Sequence, residues 1–273
     1  MTTGANTQEM LPGCPADKLV RLEARGVYYR QLNEQVRAAF DSGARCVELL
    51  GVEGHRYIGC GLTTRGRIVV HGVPGNDLAA FMDGTEVVVL GNAQDAVGNT
   101  MNNGLVEIHG DAGDVLAHSM RGGTIIVQGS VGYRAGIHMK SFQEKRPVVV
   151  IGGAANDYLG EYMAGGLMIV LGLGRKPGEP ISGIYTGTGM HGGKILLGDD
   201  LDAADLGAEV GKSGLDDADR AELRRYVEQF VAAFGGSAEG GAGQCPSAEE
   251  ILSRRFVKLL PVSRRPYGRI YAY

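Results

Sequence analysis

Residues 82–129 read MDGTEVVVLGNAQDAVGNTMNNGLVEIHGDAGDVLAHSMRGGTIIVQG, and this stretch decides the fold. Met82, Met101, Met120 and Met139 recur every 19 residues, and Gly72, Gly91, Gly110 and Gly129 keep the same interval. Each full period holds one short apolar run, at 87–90, 106–108 and 125–127. A fixed period near 20 with one strand-length run per period marks a solenoid, in which each repeat buries its apolar face only against its neighbours.

The repeat continues on both sides with insertions. Met163 and Met190 carry apolar runs at 167–171 and 194–197, and 147–152 supplies the strand that follows Met139. Upstream, 67–72 and 46–51 belong to the same series, which gives about eight coils. Three residues before each Met stands a small residue: Ala79, Gly98, Ala117, Gly136, Gly160, Gly187. That pattern suits a tight corner where backbone approaches backbone. The stacked Met side chains are expected to fill the tube; a soft-metal ladder is the weaker alternative.

One strand per coil cannot form hairpins, so successive strands pair in parallel, and parallel crossovers are right-handed. The predicted fold is all-β: a single-stranded right-handed parallel β-helix on the order of 40 Å long, with a small α/β cap before it and a helical extension after it. Residues 1–17 read as a flexible arm, 18–45 as a strand–helix cap, 46–200 as the β-helix and 201–273 as the C-terminal helix and docking tail.

Composition narrows the function classes. Gly is 45 of 273 residues, far above the ~7% of ordinary chains, yet no collagen-like triplet occurs. Net charge is −4 with mixed signs and no basic stripe, so nucleic acid is not implied. No apolar run is long enough to span a membrane, and the first residues lack a signal-peptide core, so a cytoplasmic location is expected. Cys14, Cys46, Cys60 and Cys245 are widely spaced. That spacing argues against a cluster or structural zinc and for free thiols.

Outside the coils, 20–24 alternates like a strand, and Leu32, Val36, Ala39 and Phe40 share a helical face ending at Gly43. This unit is expected to cover the open start of the solenoid. A helix from about 216 to 234 presents Leu223, Val227, Phe230 and Val231 to the rod. Ser247 and Glu250 form a capping box for a second short helix. Residues 256–262 read as extended. The terminus interleaves Tyr267, Tyr271 and Tyr273 with Arg264, Arg265 and Arg269, an interface-like composition. It is expected to dock on a catalytic partner or on another copy of the chain.

Chemical motifs are weak. Residues 187–192 match G-x-G-x-x-G, but a strand follows where a dinucleotide site needs a helix. Residues 207–213 are one residue short of a P-loop and read as a turn. Asn76, Asp95, Asp114 and Asp157 share one phase, as calcium ligands or acid–base carboxylates would, and equally as turn residues bonded to local N–H groups. The retained phase favours the turn reading. His71 and His109 share a phase two coils apart, about 9.6 Å, too far to hold one ion. His138 and His191 do not repeat. No catalytic, cofactor-binding or metal residue is assigned.

The stretches 75–84, 91–101 and 185–193, with 265–269 near the terminus, resemble the GXGXG domain, the C-terminal β-helix of the glutamate synthase large subunit. The same β-helix is similar to the β-helix component of formylmethanofuran dehydrogenase and of the related formyltransferase/hydrolase complex. The resemblance implies a non-catalytic structural and assembly subunit of an oxidoreductase complex in glutamate biosynthesis and nitrogen metabolism. Its partners would be a glutamine amidotransferase-like subunit and a synthase-like subunit holding FMN and iron–sulfur clusters, with no cofactor in this chain. A second implied reading is the β-helix component of a formylmethanofuran dehydrogenase or formyltransferase/hydrolase complex. Homo-oligomerisation is open under either.

Overall fold

The computed structural model describes residues 16–235 and 245–263. The arm expected at 1–17 falls almost wholly outside the described residues, as does most of the docking tail. Strand β1 (Leu19–Glu23) and helix α1 (Tyr29–Asp41) come first. Eight strands follow: β2 (Cys46–Glu53), β3 (Arg67–Val73), β4 (Asp83–Val89), β5 (Asn103–Ile108), β6 (Thr124–Val127), β7 (Val148–Ile151), β8 (Ala164–Val170) and β9 (Gly192–Leu197). Then come β10 (Val210–Ser213), α2 (Asp217–Phe234), α3 (Ala248–Leu252) and β11 (Val257–Pro261). From β1 to β9 every neighbouring pair is parallel and in chain order. Beyond β9 the sheet turns antiparallel, with β11 on β9 and β10 on β11.

The result is a mostly β single solenoid of about six turns, not eight. The difference has a simple cause: a strand is not a turn, and the strands at the two ends do not each close a coil. Six buried Met side chains, from Met82 to Met190, mark the repeated corners, and Leu62 holds the equivalent place before them.

The pleat sorts side chains by period two. Val87, Val106, Ile125, Val149, Met168 and Ile195 align across the strands and point inward with no exposure. Met82, Met101 and Met120 share this core. Leu32, Val36, Ala39 and Phe40 of α1 join the same cluster. On the outer face, Ile126, Val150, Ile169 and Leu196 form a second cluster, which α2 covers through Leu223, Val227, Phe230 and Phe234.

The corners are built by backbone, not by chance. In each coil three alternate residues before the Met take positive φ: Asp77, Ala79 and Phe81; Ala96, Gly98 and Thr100; Val115, Ala117 and Ser119. The pattern holds through Arg134, Gly136, His138 and Tyr158, Gly160, Tyr162. Their N–H groups alternate in direction. Asp77 donates forward to Asp95 O (3.0 Å), Ala79 back to Ile58 O (2.8 Å) and Phe81 forward to Asn99 O (2.8 Å). Bonds between coils thereby continue round the bend where regular strand geometry ends. The middle residue of each triplet is small for a different reason than backbone proximity: a Cβ on Gly160 would sit 2.7 Å from Ile195 Cδ1, an inner-wall side chain.

Candidate functional site

The polar residues singled out by their spacing are engaged between coils. Asp95 Oδ1 accepts from Asp114 N, Asp114 Oδ1 from Tyr133 N, and Asp157 Oδ1 from Ile184 N, at 2.9–3.0 Å. The expected local turn bonds are therefore bonds to the next coil. Asn76 contributes its backbone carbonyl, which accepts from Tyr57 N. A parallel ladder that spacing alone did not single out runs one corner earlier. There Asn92 Oδ1 accepts from Asp111 N, Asp111 Oδ1 from Ser130 N, and Ser130 Oγ from Ala154 N. Its signal was present, since Asn92, Asp111 and Ser130 each follow the corner Gly. Gly110, Gly129, Gly113, Gly132 and Gly183 lie directly over these side-chain oxygens, leaving no room for a Cβ.

The histidines fall into separate environments. His71 Nε2 meets Glu48 Oε1 at 2.9 Å, and Arg21 Nε meets the other oxygen at 2.5 Å. His109 lies edge-on to Phe234 at 4.9 Å, and burial pushes its pKa down. His191 Nδ1 is 3.1 Å from Gly189 O. The His138 ring stacks on Tyr162 at 5.4 Å and tilts toward His118 at 6.1 Å. Burial, then the charge of His138, lower the His118 pKa.

Residues 187–192 form the last corner and enter β9, so the G-x-G-x-x-G match has strand context. Residues 207–213 are a turn that enters β10, and α2 follows. Cys46 is disulfide-bonded, which corrects the expectation of free thiols throughout; Cys60 and Cys245 are free. Among the described residues no three His, Cys, Asp or Glu side chains converge as for a metal ion. No helix among them is long and apolar enough to cross a membrane.

The charged centre of the molecule is the seat of α2. Asp219 is buried on the first turn of the helix, where Lys194 of β9 reaches its Oδ1 at 2.5 Å and Lys258 of β11 reaches Oδ2. Lys194 also meets Glu222 at 2.7 Å, and Arg146 pairs with the same Glu. Burial raises the Asp219 pKa, but the two ammonium groups and the Asp216 N–H override it and hold the carboxyl far below the usual range. The arrangement fastens a helix to a sheet. A cavity of about 640 Å³ lies between α2, α3 and the coil edge, lined by Gln128, Arg175, Phe230, Cys245 and Arg254.

A rod of stacked, glycine-cornered coils with its polar groups joined coil to coil defines a class of β-solenoid, and the sequence comparison gives it a family. The model of the GXGXG motif matches residues 43–262. The chain belongs to the GXGXG motif family. It is 42% identical over 259 residues to the uncharacterized protein MJ1350 of Methanocaldococcus jannaschii, covering 92% of this chain and 96% of that protein. Among solved structures, it is similar to a chain of the formyltransferase/hydrolase complex of Methylorubrum extorquens, determined in complex with methylofuran. The TM-score is 0.58 and the identity 21%, over 77% of this chain and 71% of that one. At that identity the likeness is one of fold.

Proposed function

We propose that the chain is a non-catalytic assembly subunit of a multi-subunit enzyme, and that the complex is of the formyltransferase/hydrolase type. The observation that carries this reading is the recurrence of the same solenoid as one chain of such a complex. The state of the polar corner residues supports it: Asp95, Asp114 and Asp157 each have an oxygen committed to a neighbouring coil, as a brace requires. On this reading the isolated chain holds no flavin, metal or nucleotide, and the catalytic groups reside in its partners.

The glutamate-synthase reading is the second one. The corner stretches 75–84, 91–101 and 185–193 favour it, because they carry the resemblance to that enzyme's β-helix. It places FMN and iron–sulfur clusters in a synthase-like partner beside a glutamine amidotransferase-like one. Identifying the chains that co-purify from the cells that make this protein separates the two readings. Formyl transfer by the purified assembly supports the first. Flavin and glutaminase activity in it would replace the first with the second.

A further inference from the structure

A cleft of about 700 Å³ opens where the chain enters β2, β3, β4 and β5, within the ~300–1,000 Å³ of small-molecule sites. Arg45, Arg65 and Arg67 line it against one carboxylate, Glu86. Arg67 N donates to Arg45 O at 2.9 Å, so the three cations are rooted on two adjoining coils. Glu86 does not balance them. Arg67 already holds it, through Nε at 3.0 Å and Nη2 at 2.9 Å. Arg45 and Arg65 are exposed and form no ion pair among the described residues. Elsewhere on this side of the rod, opposite charges bridge the coils, as Arg21 does to Glu48 and Lys145 to Asp83. Two cations set close together without a carboxylate repel each other, and an anion between them would remove that cost.

The rest of the wall supplies room and hydrogen bonds. Gly84 and Gly104 bring no side chain into the cleft, and Asn103 adds a carboxamide. Packing on the neighbouring coil excludes a side chain at Gly104, where a Cβ would sit 2.3 Å from Thr85 O. The next coil stacks closely on this wall, since a Cβ on Gly122 would meet Asn102 O at 2.4 Å. There Arg121 Nε is buried without a hydrogen-bond partner, a donor on the same side that the chain leaves without an acceptor. No aromatic side chain lines the cleft among the described residues, so it lacks the stacking wall of a nucleobase or flavin site. What it offers is concentrated positive charge carried on guanidinium forks, which match the paired oxygens of phosphate and carboxylate groups.

We propose that this cleft binds a small molecule bearing two or more oxyanion groups, held by Arg45 and Arg65. Titration calorimetry of the full chain at about 0.15 M salt tests this, with pyrophosphate and citrate as the probes. At least one probe should bind saturably at one per chain, and the tighter of the two tells phosphate from carboxylate chemistry. The double variant Arg45→Gln/Arg65→Gln should weaken that binding at least about tenfold, with unchanged far-ultraviolet dichroism. A control, Arg220→Gln/Arg225→Gln, removes two exposed charges from α2 and should change it by less than about twofold. Absence of saturable binding by both probes overturns the proposal. So does equal weakening in the control, which would mean attraction to net charge alone, or full affinity in the folded cleft variant. Should the double variant not fold, Arg65→Gln alone, in the loop before β3, carries the same test.

Discussion

At the scale of the residue, the solenoid uses one acceptor oxygen per carboxylate. Asp114 Oδ1 meets Tyr133 N at 2.9 Å, and a carboxamide supplies the same acceptor, as Asn92 does in the neighbouring ladder. Asp114→Asn should therefore leave stability near wild type, while Asp114→Ala should cost about 1 kcal/mol in urea unfolding. A calcium or acid–base role would reverse that tolerance, since it needs the charge. Gly132 sits over the same oxygen, so Gly132→Ala should cost about 1–3 kcal/mol alone and less in the Asp114→Ala background, a coupling read by a double-mutant cycle. Met120→Ala should cost about 2–5 kcal/mol, because its side chain has no exposure. The 19-residue phase made these residues recognisable as a set. It could not give the direction of their bonds, because equivalent positions one period apart are equally consistent with local and between-coil partners.

At the scale of the element, α2 shows how charge fixes what apolar area alone would leave free to slide. The bounds and apolar face of the helix were legible from Asp216 to Phe234, and the capping box at Asp216 and Asp219 sets its start. The partners of Asp219 were not legible, since Lys194 stands at the head of the apolar run 194–197 and Lys258 inside the extended stretch 256–262. Asp219→Ala leaves both ammonium groups without their buried partner and should cost about 3 kcal/mol by chemical denaturation. The pH dependence follows from the depressed carboxyl. Its contribution is complete above about pH 4 and is lost as pH falls through the folded-state value. The lysines are shifted the other way. Hydrogen bonds to Asp219 and Asp216 raise Lys258; for Lys194 burial acts downward, and Asp219 and Glu222 override it. Their share holds at neutral pH and fades only as pH rises through their folded values. Acid titration should release the outer-face cluster before the inner core, seen as early exposure of Tyr226 fluorescence with strand dichroism retained.

At the scale of the whole molecule, the parallel solenoid was legible because its period is nearly constant where it counts, from Met82 to Met139. The number of turns was not, because apolar runs count strands and a strand at either end closes no coil. The antiparallel close by β10 and β11 left no periodic trace, because two short non-repeating strands look like any extended tail. The central claim is that this rod serves an assembly. The most direct test is the native mass of the protein taken gently from the cells that make it. The account predicts a particle several times heavier than one 28.8 kDa chain, with this chain in fixed stoichiometry to larger catalytic subunits. Elution as the chain alone, or as copies of itself with no other protein, would contradict it.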